Sequence, residues 1–142
     1  MNKKIRIAIV LSKFNENIGK IELESCLSEL YNFGLNKNDI SIFYVPGALE
    51  LGVAIYHIIQ SQKFNSIIAL GAVIRGDTYH FDIVSNEMAS AISTLSLNTG
   101  IPIANGVLTV DNEQQALLRA KEKGIDCAKV AVEMFNLIKS LY

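Results

Sequence analysis

The run SIIALGAVIRGDTYHFD, residues 66–82, changes character halfway along. Residues 67–74 are apolar and rich in β-branched side chains. They are too short and too glycine-punctuated for a helix, which predicts a strand buried on both faces. Residues 75–82 are the opposite: Arg75, Gly76, Asp77, Thr78, His80 and Asp82 crowd into a polar loop before a helical pattern resumes at Ile83. In an open parallel α/β sheet, ligands bind outside the carboxyl ends of the strands. This strand end is therefore the expected site.

The same unit of strand, loop and helix recurs on either side. Residues 5–11 form a first apolar run, broken by Ser12-Lys13-Phe14-Asn15. Apolar residues then recur at helical spacing over 18–33, with Gly34 as the stop. Residues 40–45 lead through Pro46-Gly47-Ala48 into a helix over 49–61. Pro46 biases Val45 toward extended geometry, and Gly47 lets backbone come close to a bound group. After the central run, the pattern predicts a helix over 83–99 ending at Gly100 and a strand over 102–108. A helix capped by Asp111 or Asn112 and stopping at Gly124 follows, then a last helix over 125–141. Strands alternating with helices predict an α/β fold, one domain over residues 1–142, its parallel sheet covered by helices on both faces.

Composition narrows the function. A chain of 142 residues buries a core without disulfides or metal. Half of it is hydrophobic and mean hydropathy is +0.29, which raises the expectation that other subunits cover part of its apolar surface. A net charge of −1 speaks against bulk attraction to nucleic acid or anionic lipid. No secretory leader and no membrane-length apolar run occur, so the expected compartment is the cytoplasm. Cys26 and Cys127 are far apart in the chain, without a Cys or His at metal-ligand spacing, and both lie on apolar helical stripes. They are expected to be buried free thiols, with no metal site.

The loops after the strands should converge on one edge of the sheet. Phe14 offers a face on which a planar ring can stack, and Asn15 an amide with paired donors and acceptors; the plainer reading is a packing phenylalanine and a capping asparagine. Glu50, just inside a helix start, also suits the helix dipole. His57, midway along a helix, reads as structural. His80 differs, lying between Thr78 and Asp82 in a glycine-containing loop, and histidine is the residue type that moves protons near neutral pH. The Arg75-Gly76-Asp77 tripeptide carries little weight as an adhesion motif in such a chain. Neither a Walker loop nor a GxGxxG after the first strand is present. Taken alone, the residues reach a small-molecule enzyme with His80 as its proton carrier.

Taken together, the loops resemble those of the 6,7-dimethyl-8-ribityllumazine synthases. The resemblance rests on FN at Phe14-Asn15, VPGALE at 45–50, ALGAVIRGDTYHFD at 69–82, NE at Asn86-Glu87, GVLT at 106–109, EQQA at 113–116, and Arg119. It implies a flavodoxin-like three-layer α/β/α sandwich with a four-stranded parallel sheet, assembled into pentamers with active sites between subunits. It also implies a transferase of riboflavin biosynthesis, joining 5-amino-6-(D-ribitylamino)uracil to 3,4-dihydroxy-2-butanone 4-phosphate with release of phosphate and water, and needing no metal or organic cofactor. By position, Phe14 would stack on the pyrimidine. Ala48, Leu49 and Glu50, with the neighbourhood of Asn15, would hold the ribityl chain, and Val73 and Ile74 would flank the ring. Gly76, Asp77 and Thr78 would line the phosphate, Arg119 of an adjoining subunit would bind it, and His80 would shuttle protons.

The chain departs from the family pattern at three places. Gly52 stands where a proline is usual, which should loosen the start of the second helix. Asn105 stands where many members place an aromatic residue that reaches the neighbour's pyrimidine, making that wall polar. The segment between Arg119 and Gly124 is short, leaving Lys121 and Lys123 without counterparts. With that short loop and no N-terminal arm, the expected assembly is a pentamer or decamer rather than an icosahedral shell. The rival readings are a relative of the archaeal-type riboflavin synthases, which would need no phosphate site, and a non-catalytic assembly that holds flavin-like ligands.

Overall fold

Alternate side chains of the inner strands pack into two separate cores, which places two helix layers. The computed structural model describes residues 4–142. In it β1 (Ile7–Ser12) is buried along its whole length and β3 (Ser66–Ile74) along all but its last two residues. They are the inner strands of an all-parallel sheet in the order β2-β1-β3-β4, with β2 (Ile40–Val45) and β4 (Ile103–Val110) at the edges. Successive side chains of a strand point to opposite faces. Ala8 and Val10 accordingly join Ile55, Val84, Met88 and Ile92 of α2 (Leu51–Gln60) and α3 (His80–Thr99). Ile7, Ile9 and Leu11 face the other way, onto Cys26 and Leu30 of α1 (Glu16–Asn32) and Ala128 and Ala131 of α4 (Glu113–Ser140). The expected three-layer α/β/α sandwich, flavodoxin-like in its strand order, is what forms. Its cover is incomplete at β2, where Ile42, Phe43 and Tyr44 remain exposed.

The helix boundaries correct the sequence reading at two points. The helices expected over 113–124 and 125–141 are one, α4, which runs through Gly124. A Cβ at Gly124 would collide with the Ser25 hydroxyl and the Glu22 carbonyl of α1. Glycine therefore serves here as a contact point between two helices, and its lack of a side chain, which reads as a stop signal, answers a packing need. Helix α3 begins at His80, three residues ahead of the expected start, so His80 is its first residue rather than part of the preceding loop. Gly52 likewise brings α2 against α3, its added Cβ falling 2.9 Å from that of Ala91. Both thiols are free and buried as expected, and burial pushes Cys127 up to about 11 and Cys26 further still.

One charged residue type sits where the pattern expects apolar ones. Glu22, on α1, is fully buried, and its Oε1 accepts the Gly71 amide at 2.8 Å. Its Oε2 has no hydrogen-bond partner among the described residues. An uncompensated buried carboxylate costs several kcal/mol, roughly, in a protein interior. Burial accordingly pushes this carboxyl from its ordinary 4.5 up to about 9, against the opposing pull of the Gly71 amide and the Lys123 ammonium. Glu22 is a neutral acid at physiological pH.

Two outcomes follow. Replacing a helix-interior glycine by alanine ordinarily stabilises by about 1 kcal/mol. At Gly124 the sign should invert: Gly124→Ala should lower stability by roughly 1–3 kcal/mol, the usual cost of overpacking, and a raised melting temperature would refute the contact. For Glu22 the folded chain keeps a proton that the unfolded chain loses above 4.5, so the stability it contributes falls as pH rises from there through about 9. Glu22→Gln has no such proton, so its melting temperature should gain on that of the native chain as pH is raised from about 5 to about 8. A gap that stays constant would show an ordinary carboxyl.

Candidate active site

The sheet divides at its carboxyl edge. β1 pairs with β3 only as far as Leu11 and Leu70, then stays with β2 through Ser12–Val45 and the Lys13 amide to the Val45 carbonyl, 2.8 Å. β3 stays with β4 through Ile74–Val110, extended by the Arg75 amide to the Val110 carbonyl, 2.8 Å. Between the two ribbons lies the point where strand order reverses, the usual location of a site in such folds.

A cavity of about 300 Å³ fills this crevice. Phe14 enters from the loop after β1, and Gly47, Ala48, Leu49 and Glu50 from the tight turn after β2. Ala72, Val73 and Ile74 come from β3, and Gly76, Thr78, His80, Phe81 and Val84 from the loop after β3 and the start of α3. Of the residues expected at the site, Phe14, Ala48, Leu49, Glu50, Val73, Ile74, Gly76, Thr78 and His80 thus meet around one space. Phe14 is 72% exposed, so its ring packs little within its own chain and presents a face to the cavity.

Asn15, Asp77, Asn105 and Arg119 are not part of that wall. Asn15 adopts a left-handed conformation, φ 60°, and makes no side-chain cap to α1. Its amide instead donates across the crevice to the Ala72 carbonyl at 2.9 Å, tying the loop that carries Phe14 to β3. The capping reading of Asn15 is corrected accordingly, whereas Asn112 does cap α4, accepting from the Gln115 amide at 2.9 Å. Asp77 is exposed in the loop after β3. Asn105 accepts from the Val107 amide at 3.0 Å, and its Nδ2 lies 3.5 Å from the Met88 sulfur. Arg119 is exposed on α4, its guanidinium donating to the Gln115 carbonyl of its own helix at 3.1 Å.

The loop that leads to His80, and the helix turn that carries it, are pinned by Arg75. Its Nε donates to Asp111 at 3.0 Å, Asp82 lies 3.8 Å from Nη1, and its guanidinium covers the Phe81 ring at 4.4 Å. Exposed ion pairs contribute little stability singly, but these contacts join the ends of β3 and β4 to the first turn of α3. The Thr78 hydroxyl accepts the His80 amide at 3.3 Å. Phe81 and Val84 were not assigned to the site from sequence, and Arg75, named in the polar loop, was given no role there. The cavity-facing periodicity of a helix starting at residue 80, rather than 83, is the signal that would have found the first two.

Among the described residues no helix is long and apolar enough to cross a membrane, and no group of His, Cys, Asp or Glu side chains is placed to hold a metal ion.

Comparison with known proteins adds independent evidence. The sequence model of the 6,7-dimethyl-8-ribityllumazine synthase family matches residues 4–139. The chain is 59% identical to the 6,7-dimethyl-8-ribityllumazine synthase of Bordetella petrii, over 96% of this chain and 78% of that protein. It is 52% identical to the enzyme of that name from Azoarcus sp., over 98% of this chain and 89% of the other, and 51% identical to that of Methylobacillus flagellatus, over 98% and 93%. A match running through every strand and helix, joined to a cavity at the reversal of strand order, makes this chain a member of the 6,7-dimethyl-8-ribityllumazine synthase family.

Proposed function

We propose that this chain is a transferase that condenses 5-amino-6-(D-ribitylamino)uracil with 3,4-dihydroxy-2-butanone 4-phosphate, giving 6,7-dimethyl-8-ribityllumazine, phosphate and water in the penultimate step of riboflavin biosynthesis. The observation that carries the reading is the meeting, in one cavity, of the free Phe14 ring with the 48–50 turn, the end of β3 and His80. Phe14 stacks on the pyrimidine, and Ala48, Leu49 and Glu50 hold the ribityl chain, with Asn15 bracing their floor from behind. Val73 and Ile74 meet the ring edge through backbone groups. Gly76, Asp77 and Thr78 line the phosphate, which Arg119 of an adjoining copy grips through its planar fork of donors.

In this reaction the 5-amino nitrogen attacks the ketone carbon, and loss of water leaves an imine. Removal of a carbon-bound proton lets the bond to the phosphate oxygen break, phosphate departing with the electron pair. The enol left behind tautomerises to a methyl ketone at the carbon that bore the hydroxyl, the ribitylamino nitrogen adds to this new carbonyl and closes the ring, and a second water leaves. Alignment of two reactants contributes up to ~7–11 kcal/mol in well-oriented systems, whereas a positioned acid or base contributes about 10²–10⁴-fold, roughly 3–5 kcal/mol. The shape of the cavity therefore outweighs any one charged group, and His80 serves as the proton carrier for a reaction whose amine is already nucleophilic.

A pentamer, or a pair of pentamers, in the cytoplasm is the assembly this reading requires. Its support is that Arg119 and Asn105 lie outside the cavity of their own chain, and that Leu49 of the cavity wall and its neighbour Val53 are exposed. A riboflavin synthase-like reading is disfavoured, since the matching family and the relatives above carry the lumazine synthase description.

Mixing the purified chain with both substrates should generate the lumazine chromophore, and a chain that leaves the substrates unchanged would end the proposal. His80→Ala should lower kcat on the order of a hundredfold with KM little changed; an unaltered kcat would remove His80 from the mechanism. Arg119→Ala should raise KM for the phosphorylated ketone roughly tenfold or more, the worth of hydrogen bonds to a charged group, and should relieve inhibition by inorganic phosphate. Co-assembled His80→Ala and Arg119→Ala chains should regain activity that neither has alone. Failure to regain it in mixed assemblies would place both residues in one subunit's site.

A further inference from the structure

Beyond the division of the sheet, β3 has no strand on its β1 side. The Gly71 amide and the Ala72 carbonyl lie just past the last β1–β3 pair, and both are taken by side chains from the N-cap and the second turn of α1. Asn15 reaches the carbonyl at 2.9 Å and Glu22 the amide at 2.8 Å. The next residues, Val73 and Ile74, are cavity wall. Gly71 itself has φ +148°, a region that L side chains rarely adopt, and a Cβ there would strike the Ser12 hydroxyl. The strand thus turns on a flexible residue just before it forms the site, and a flexible residue holds one geometry only if its hydrogen bonds are met.

We infer that Glu22 is a positioning residue for the substrate cavity: by accepting the Gly71 amide it sets the path of β3 from Ala72 to Ile74, the segment against which the pyrimidine lies. This rests on the condensation proposed above. Glu22 touches no cavity residue directly and acts through backbone alone.

The surroundings favour a neutral acid in this role. Cys26 on its own helix and Lys123 and Cys127 on α4 are the titratable groups that act on it or are acted on by it. From β1 comes the Ser12 hydroxyl, which lies against Gly71 and, like Glu22 Oε2, has no hydrogen-bond partner among the described residues. Gly124 lets α4 press on the backbone of α1 at Glu22 itself, so the carboxyl is sealed from water. Glutamine reproduces the neutral acid, offering a carbonyl acceptor to Gly71. Leucine fills similar space and offers none.

The test compares the native chain with Glu22→Gln and Glu22→Leu in their assembled form. Hydrogen exchange, read by mass spectrometry over residues 70–74, reports the clamp without any need for catalysis. Exchange there should quicken in Glu22→Leu, by roughly tenfold for one lost hydrogen bond, and stay native in Glu22→Gln. In the lumazine-forming assay, KM for the pyrimidine should rise by a similar factor in Glu22→Leu, with KM for the phosphorylated ketone less affected and Glu22→Gln native in both. A purely structural Glu22 would shift melting temperature and leave the pyrimidine KM alone. Native exchange or native pyrimidine KM in Glu22→Leu overturns the inference, as does a folded Glu22→Gln that fails like leucine. Should the native chain form no lumazine, the condensation reading falls, and the exchange comparison alone decides the clamp: quickened exchange in leucine but not glutamine upholds it, equal exchange rejects it.

Discussion

Buried backbone groups must find hydrogen-bond partners, and this sheet stops supplying them at its carboxyl edge. β1 follows β2 and β3 follows β4 from the level of Leu11 and Leu70 onward. The parting makes room for a ligand and leaves the β1-facing groups of β3 to be satisfied by something other than a strand. Helix α1 lies over the gap, and two polar side chains reach down into it, Asn15 from the residue that precedes the helix and Glu22 from its second turn. The crevice, the course of its floor and the attachment of the Phe14 loop thus follow from one event in the sheet. Further out, Arg75 performs the corresponding task on the solvent side, holding the ends of β3 and β4 and the start of α3 in one bundle.

That arrangement suits a reaction in which orientation is worth more than charge. The cavity is walled largely by backbone turns and apolar side chains, with Glu50 and, at a helix start, His80 as its ionisable side chains. Helix α3 beginning at residue 80 matters here. A histidine in a mobile loop samples many positions, whereas the first residue of a long helix, with its amide tied to Thr78 and its neighbour Phe81 under the Arg75 guanidinium, samples few.

The inner strands were legible in the sequence because parallel strands buried on both faces must be apolar throughout, and 67–74 and 5–11 are little else. The loops at their ends were legible because each carries residues that a strand or helix of that position does not need, such as Phe14 and the polar run 75–82. Three features were not. Gly124 has the sequence signature of a helix stop, and only the proximity of α1 reveals it as a contact point. Asn15 has the signature of a cap, yet its backbone turns left-handed and its amide bonds across the sheet to a residue far off in the chain. Glu22 interrupts the apolar stripe of α1 without any local reason. Its reason is the unpaired amide of Gly71, and pairings between distant segments leave no trace in periodicity.

Exposed apolar residues cluster where the cavity opens. Leu49 belongs to the cavity wall and is 46% exposed, and Val53, one helical turn further along α2, is exposed beside it. Ile83 lies on α3 next to cavity residues Phe81 and Val84 and is likewise uncovered. On the proposed assembly, a neighbouring copy covering this surface would bury apolar area that otherwise faces water and would close the open side of the cavity in the same step. Closing it excludes water from an imine that water would hydrolyse, and it brings a cation to a phosphate that the home chain meets only with backbone and hydroxyl groups. The hydrophobic driving force for association and the chemical requirement for a dry, cation-bearing site are then met by one interface, which explains why a chain this apolar can carry so incomplete a site by itself.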